Sequence, residues 1–307
     1  MKKTSPYILL VLATLLWGGN FVIGRAISSH IPPFTLSFLR WCTAFIVFFP
    51  FAWPFLKKEW NQIKKYWGIV VLMAFTGVAG FNTLLYIALH YTTSINASLV
   101  NTSTPIIIYI LSFFILRERF QQHQLFGTIL SVSGVFFILS KGSLMNLVAF
   151  TFNVGDLIVI GAVICWSIYS ILVKQYASRL PGYSTFLLSI AFGIVMLFPF
   201  FIYEITSSNV QIVWSLQSIS AILYIGVFAS IVAFIAWNTG VVQLGANKAG
   251  VFINLIPVFA AIFAILFIGE ALAWYQAAGG VFVICGVYLS TKNPRKAAVE
   301  KQNLTIN

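Results

Sequence analysis

Apolar runs of membrane-crossing length recur along the chain, each closed by a short polar or proline-bearing break. They cover about Pro6–Ile27, Phe34–Phe55, Trp67–Leu89, Ser94–Leu116 and Gln124–Ser140, then about Gly155–Ala177, Tyr183–Tyr203, Ser218–Val241, Asn247–Ile268 and Trp274–Ser290. About 20 apolar residues in a helix cross the hydrocarbon of a bilayer, so the pattern predicts ten transmembrane helices. The breaks are the His30-Ile31-Pro32-Pro33 corner, a loop bearing Lys57, Lys58, Lys64 and Lys65, the charged turn Arg117-Glu118-Arg119, and a polar linker over residues 141–154. Lys2 and Lys3 give the first run the look of a signal peptide. The further spans make it an uncleaved first helix. The tail, residues 292–307, carries Lys292, Arg295, Lys296 and Lys301 and is expected to be disordered.

Composition agrees with the pattern. Sixty per cent hydrophobic and 8% charged residues, with a mean hydropathy of +0.96, lie far from soluble proteins, where roughly a quarter of residues are charged. No sizeable soluble domain fits beside ten spans. The net charge of +12 is a topology signal and not a nucleic-acid footprint, because the cations sit in short loops and a tail. Cys42, Cys165 and Cys285 all fall inside apolar runs, an odd set that argues against a disulfide framework and for core positions.

The pattern also repeats. At an offset of 152, Ala97 falls on Ala249, Pro105 on Pro257, Glu118 on Glu270, Gln124 on Gln276, Gly127 on Gly279 and Gly134 on Gly286. At an offset of 149, Trp17 falls on Trp166, Pro32 on Pro181 and Pro50-Phe51 on Pro199-Phe200. The fold expected is an all-α membrane protein of two five-helix repeats, residues 1–141 and 155–291, followed by the basic tail 292–307. Five is odd, so the repeats must be inverted. With the amino terminus inside, fifteen of the eighteen Lys and Arg fall on the cytoplasmic side, leaving Arg25, Arg40 and Lys141, as the positive-inside rule requires.

Inverted repeats are the architecture of alternating-access transporters, whose sites lie near the midplane. Pro105 and Pro257 sit in mid-span and free the carbonyls of Asn101 and Ile253. They are the candidate hinges. Asn101 and Asn254 beside them either line a cavity or satisfy broken backbone bonds. Trp17 and Asn20 share a face of the first span, and Trp166 and Tyr169 a face of the sixth. With Asn82, Tyr86, Trp237 and Asn238 they form a candidate substrate lining of aromatics and amides, or simply pack between helices. Arg40, about 10 Å into the second span at 1.5 Å per residue, either attracts a substrate carboxylate or is structural. No Asp or Glu falls at the midplane, so a buried carboxylate carrier for protons has no candidate. Glu118 and Glu270 read as helix-end fasteners. Gly127, Ser131 and Gly134, with Gly279 and Gly286, favour close helix approach. His30, His90 and His123 fall in loops, and no metal-protease or phosphate-loop motif is present. No catalytic, metal or cofactor site is expected.

Trp17-Gly18-Gly19-Asn20-Phe21, the stretch Pro33 to Arg40 ending Phe38-Leu39-Arg40, and Gly245 to Val258 followed by Gly269-Glu270 resemble the EamA type of the drug/metabolite transporter superfamily. The resemblance spans nearly the whole chain. It implies ten helices, both termini cytoplasmic, a central cavity lined by spans one to four and six to nine, and spans five and ten packed outside. It also implies export of small metabolites, amino acids among them, with a small-molecule substrate and the lipid bilayer as partners. Monomer and oligomer stay open. The alternatives are an exporter of neutral or cationic drugs and a non-transporting membrane receptor or interaction protein.

Overall fold

The computed structural model describes residues 4–27, 30–88, 91–92, 97, 100–118, 121–143, 145, 153–207, 212–263, 265–266 and 273–291. Among the described residues the structure is all helical, without strands. Its elements are α1 (Pro6–Ile27), α2 (Pro33–Ile63), α3 (Trp67–Met73), α4 (Phe81–Ala88), α5 (Thr104–Ile115), α6 (Gln122–Leu139), α7 (Val154–Gln175), α8 (Gly182–Ser207), α9 (Leu216–Tyr224), α10 (Ala233–Leu244), α11 (Ala246–Gly250), α12 (Ile256–Phe263) and α13 (Trp274–Thr291). Among the described residues, seven helical stretches are long and apolar enough to cross a membrane. This is a multi-pass membrane protein. The expectations for Arg119, Glu270, His90 and the basic tail lie outside the described residues, as does the side chain of Arg25.

One of the seven stretches, Pro33–Ala88, runs for 56 residues, which as a straight rod would reach about 84 Å at 1.5 Å per residue. It is not one, as Arg40 in α2 donates to Asn82 in α4 across 2.8 Å, which brings the two ends together. The chain turns back at a 3₁₀ turn over Lys64–Tyr66. α2 also continues past the expected Phe55 end, so Lys57 and Lys58 are helical, not in a loop, and Pro50 and Pro54 sit inside it. The Lys57 ammonium lies over the Trp53 ring at 5.2 Å, a contact that favours one more helical turn. His123 likewise falls in the first turn of α6, where Gln121 and Gln124 form a capping box.

Two interruptions escape the hydrophobic pattern. Ala74–Gly80 joins α3 to α4 and Ile225–Val232 joins α9 to α10, and both are π-helical. The wider turns shift the hydrogen-bond ladder, and hydroxyls close to it: Thr76 donates to the Leu72 carbonyl at 2.7 Å and Ser230 to the Ile225 carbonyl at 2.9 Å. At Gly77 the missing side chain makes room for Tyr169, whose Cε2 lies 2.6 Å from where a Cβ would stand.

Each mid-span proline opens a new helical piece. Residues 102–103 form a turn before α5, with Pro105 in its first turn. The Asn101 carbonyl, which loses its donor to Pro105, accepts from Thr104 Oγ1 at 2.6 Å. In the second half a 3₁₀ segment, Val251–Leu255, precedes α12 and Pro257, and the Ile253 carbonyl accepts from the Ile256 N–H. Short 3₁₀ pieces are a common way to rejoin a broken ladder.

The helices pack in recognisable pairs. α6 and α13 run antiparallel, Gly127 against Gly286 and Gly134 against Gly279. A Cβ on Gly134 would stand 2.6 Å from the Gly279 carbonyl oxygen, and one on Gly279 equally far from that of Gly134. α2 and α8 are also antiparallel: Phe34 stacks on Phe200 at 5.3 Å and Phe38 on Phe201 at 4.4 Å, while Phe55 meets Tyr183 at the other end. α1 packs on α10 and α12, and α7 packs on α4 and α5. Cys285 on α13 is exposed and not in the core, because α13 turns its glycine face inward, and Cys42 and Cys165 are half-buried.

Two carboxylates fasten the α2–α8 pair, and neither stands out in the sequence. Glu204 at the end of α8 accepts from the Thr35 N–H at 2.7 Å, from Thr35 Oγ1 at 2.8 Å and from the Phe34 N–H at 3.3 Å. It therefore satisfies orphan donors at the start of α2. At the opposite end Glu59 of α2 accepts from the Ser184 hydroxyl in the first turn of α8. Glu118 makes a third such link, accepting from Asn247 Nδ2 at 2.8 Å.

Gly134→Val should overpack the α6–α13 contact at a cost of about 1–3 kcal/mol. It should lower the thermal unfolding midpoint in detergent, whereas Gly68→Ala, with open space around its Cβ, leaves it unchanged. Glu204→Ala strands buried donors at the start of α2 and should cost about 1–3 kcal/mol in the same assay. Glu204→Gln, which keeps one acceptor oxygen, should cost less.

Candidate functional site

The π segments, the antiparallel α2–α8 pair and the faces of α1 and α7 together build a layered centre. Three layers follow one another along the bundle, starting from the end that carries Lys64, Lys65, Lys174 and Arg179.

The first layer is a cavity of about 280 Å³ between α3, α7, α8 and α10. Its walls include Tyr169 and Tyr176 of α7, Thr185, Phe186 and Ser189 of α8, and Asn238 of α10. It reaches the surface beside Tyr183 and Gln243, which are exposed. No lining side chain is charged. Its most defined polar feature is a reciprocal pair: the Tyr169 hydroxyl donates to Asn238 Oδ1 at 3.0 Å and accepts from Asn238 Nδ2 at 2.8 Å. Such a wall of aromatics with a few fixed polar groups is how small-molecule sites are commonly built.

The second layer closes the cavity from below. Trp17, Trp166, Phe234 and Trp237 pack ring against ring, with centroids 5.1 to 5.9 Å apart between Trp17 and the other three. Trp166 and Phe234 also meet at 5.3 Å. Tyr169 and Phe186 touch Phe234 from the cavity side, and Trp41 touches it at 5.2 Å. Two of the indole N–H groups are satisfied: Trp17 donates to the Ala229 carbonyl within the second π segment at 3.0 Å, and Trp237 to Ser170 Oγ at 3.3 Å, whereas the Trp41 N–H is buried without a partner among the described residues.

The third layer is Arg40 and the apolar plug beyond it. Arg40 is 1% exposed. Its Nε donates to Ser230 Oγ at 2.9 Å and its Nη1 to Asn82 Oδ1 at 2.8 Å and the Tyr86 hydroxyl at 3.4 Å, while the guanidinium carbon lies 5.0 Å from the Trp41 ring. All of these partners are neutral. Ile27, Ile31, Leu36, Ala221, Ile222 and Ile225 then seal this end of the bundle, with Ile23 and Tyr86 packed against them.

The residues expected from the sequence to bind substrate are thus spread over the layers and do not line one space. Tyr169 and Asn238 line the open cavity, Trp17, Trp166 and Trp237 are its floor, and Arg40, Asn82 and Tyr86 lie beyond the floor. Asn101 and Asn254, with Pro257, line a separate pocket of about 30 Å³, room for about one water. Asn254 Nδ2 donates to Ser131 Oγ at 3.0 Å. Asn20 lies on α1 one turn beyond Trp17, and its buried Oδ1 accepts no hydrogen bond. Thr185, Ser189 and Ser230 are polar members of these layers that sequence reasoning missed. The repeat offset contains a signal for one of them, since Ser189 falls on Arg40 at 149 residues.

Comparison with known proteins fits this architecture. An uncharacterized transporter of Archaeoglobus fulgidus is 28% identical over 94% of this chain and 98% of its own length. The uncharacterized transporter YyaM of Bacillus subtilis is 26% identical over 94% and 93%. A solved crystal structure at 19% identity shares the fold with a TM-score of 0.75, covering 94% of this chain and 97% of that one. The model of the EamA-like transporter family matches twice, at residues 4–140 and 153–292. The chain belongs to the EamA-like transporter family.

Proposed function

We propose that the protein exports small amphipathic metabolites, amino acids or related compounds, by alternating access between two inverted five-helix repeats that together give ten spans. It does so from the cell membrane, with both termini cytoplasmic. The observation that carries this reading is the one-ended cavity: a space of about 280 Å³, near the lower limit of roughly 300–1,000 Å³ for small-molecule sites, reaches the surface at one end. An aromatic floor and an apolar plug close the other. That is the form expected of one extreme of an alternating-access cycle.

The helix pairing supports the inverted repeats. Exchanging each span with the one five places away leaves the pattern of contacts in place: α6–α13 and α2–α8 map onto themselves, and α1 on α10 and α12 maps onto α7 on α4 and α5. Both self-paired sets run antiparallel, and the two π segments begin 151 residues apart. Lys64, Lys65, Lys174 and Arg179 border the open end, which makes it cytoplasmic by the positive-inside rule. The cavity then faces the cytoplasm, the side from which an exporter loads. Its uncharged lining suits a substrate without net charge, and its aromatic walls suit an apolar side chain.

Purified protein in liposomes should show saturable counterflow of at least one zwitterionic amino acid from a panel of the twenty. Asn238→Ala and Tyr169→Phe should each raise the half-saturation concentration about two- to tenfold, the equivalent of roughly 0.5–1.5 kcal/mol for one hydrogen bond. A panel without any counterflow removes the amino-acid reading. Pro105→Ala and Pro257→Ala restore a backbone donor at the breaks and should slow transport at equal expression, with substrate protection against unfolding retained. Unchanged rates in both would remove the hinges.

A further inference from the structure

Of the seventeen residues that line the open cavity, seven fall at the repeat offsets on the plug, on residues packed against it or on Arg40. At the 149 offset Leu172, Tyr176, Leu180, Thr185 and Ser189 fall on Ile23, Ile27, Ile31, Leu36 and Arg40, and at the 152 offset Asn238 falls on Tyr86 and Met73 on Ile225. Ile27, Ile31, Leu36 and Ile225 are the plug itself, Ile23 and Tyr86 pack against it, and Arg40 donates to Tyr86.

The sealed end is also richer in unmet polar capacity than a plain apolar plug requires. Asn82 Nδ2, beside the guanidinium that its Oδ1 holds, is buried without a hydrogen-bond partner. So are Ser37 Oγ, one turn before Arg40, and Thr83 Oγ1, next to Asn82. Ser37, Asn82 and Thr83 are themselves 0%, 6% and 9% exposed. Buried polar atoms are normally satisfied, and a buried charge normally has a counter-charge. Among the described residues no carboxylate pairs with Arg40.

We propose that the sealed end is a collapsed second binding chamber, the counterpart of the open cavity, and that on opening it receives the carboxylate of a small metabolite on Arg40. This rests on the inverted-repeat reading above. The guanidinium offers parallel donors that fit a carboxylate side by side, and Asn82 Nδ2 adds another next to it. The open cavity carries Ser189 where this chamber carries Arg40, so the two faces of the cycle differ by a full charge.

The test needs no knowledge of the substrate. With Cys42, Cys165 and Cys285 replaced by serine, single cysteines at Leu36 and Gln243 report on the two chambers. Right-side-out and inside-out membrane vesicles are treated with two impermeant methanethiosulfonates, one bearing a sulfonate that stands in for the carboxylate and one bearing a quaternary ammonium. Gln243→Cys should react from one face and Leu36→Cys from the other. At Leu36→Cys the anionic reagent should be favoured by about tenfold over its ratio at Gln243→Cys, the low end for a focusing charged cleft. Arg40→Gln should abolish the preference and Arg40→Lys keep it, with Arg40→Met as the second neutral variant should Arg40→Gln fail to insert. Labelling from opposite faces with no anion preference, or with a preference that survives the neutral variants, overturns the carboxylate site and leaves alternating access standing. Labelling of both cysteines from the same face overturns the inverted reading itself. Silence at Leu36→Cys and at Ile27→Cys, beside a reactive Gln243→Cys, overturns the second chamber and alternating access together.

Discussion

In lipid no water reaches the backbone, so every interruption of a helix must be closed by the protein itself. The interior of this transporter is organised around that constraint. Its ladder is interrupted at Pro105, at Pro257 and at the two π segments, among other places, and at these four a nearby group takes up the loose end: Thr104 at the Asn101 carbonyl, the Ile256 N–H at the Ile253 carbonyl, Thr76 and Ser230 at the π turns. The second π segment also gives its Ala229 carbonyl to the Trp17 indole. Broken backbone is therefore what ties the aromatic floor to the helix behind it. Ser230 serves twice, donating to the π turn and accepting from Arg40.

The aromatic floor explains how a chain so poor in charge can keep a guanidinium in its interior. Trp41 stacks beneath Arg40 and stands against Phe234, so the cation rests on the ring cluster that floors the cavity. A cation over an aromatic face gains about 0.5–2 kcal/mol, more as water is excluded. Charge, floor and cavity are three consecutive contacts along one line, Arg40 to Trp41 to Phe234 to Tyr169, and a shift of one ring is felt by the next.

Much of this was legible in the sequence, and the remainder had specific reasons to be hidden. The helical class and the mid-span breaks at Pro105 and Pro257 follow from hydrophobic run length and from the proline ring. The close approach at Gly127, Gly134, Gly279 and Gly286 follows from small-residue spacing. The π segments could not be read, because Ala74–Gly80 and Ile225–Val232 contain no residue that forbids an ordinary α-helix. The site was half legible. Trp17 and Trp166 stand out by their mid-span depth, but depth cannot distinguish a wall from a floor, and with Trp237 they pack as a floor. Thr185 is a small residue in an apolar run, meaningful only once α8 is seen lining the cavity with α7, whereas Ser189 is signalled by its match to Arg40. Glu59 and Glu204 look like ordinary interfacial acids until the antiparallel pairing of α2 with α8 brings each to the start of the other helix.

The α6–α13 contact has a consequence for how the molecule comes into being. The glycine patch of α6, Gly127 and Gly134, meets that of α13, Gly286 and Gly279, with the two helices running in opposite directions. During synthesis α6 leaves the ribosome long before α13. Until that last described helix arrives, the glycine face of α6 stands without the partner it has in the finished fold. Assembly of this pair therefore closes late, over more than a hundred residues of intervening chain.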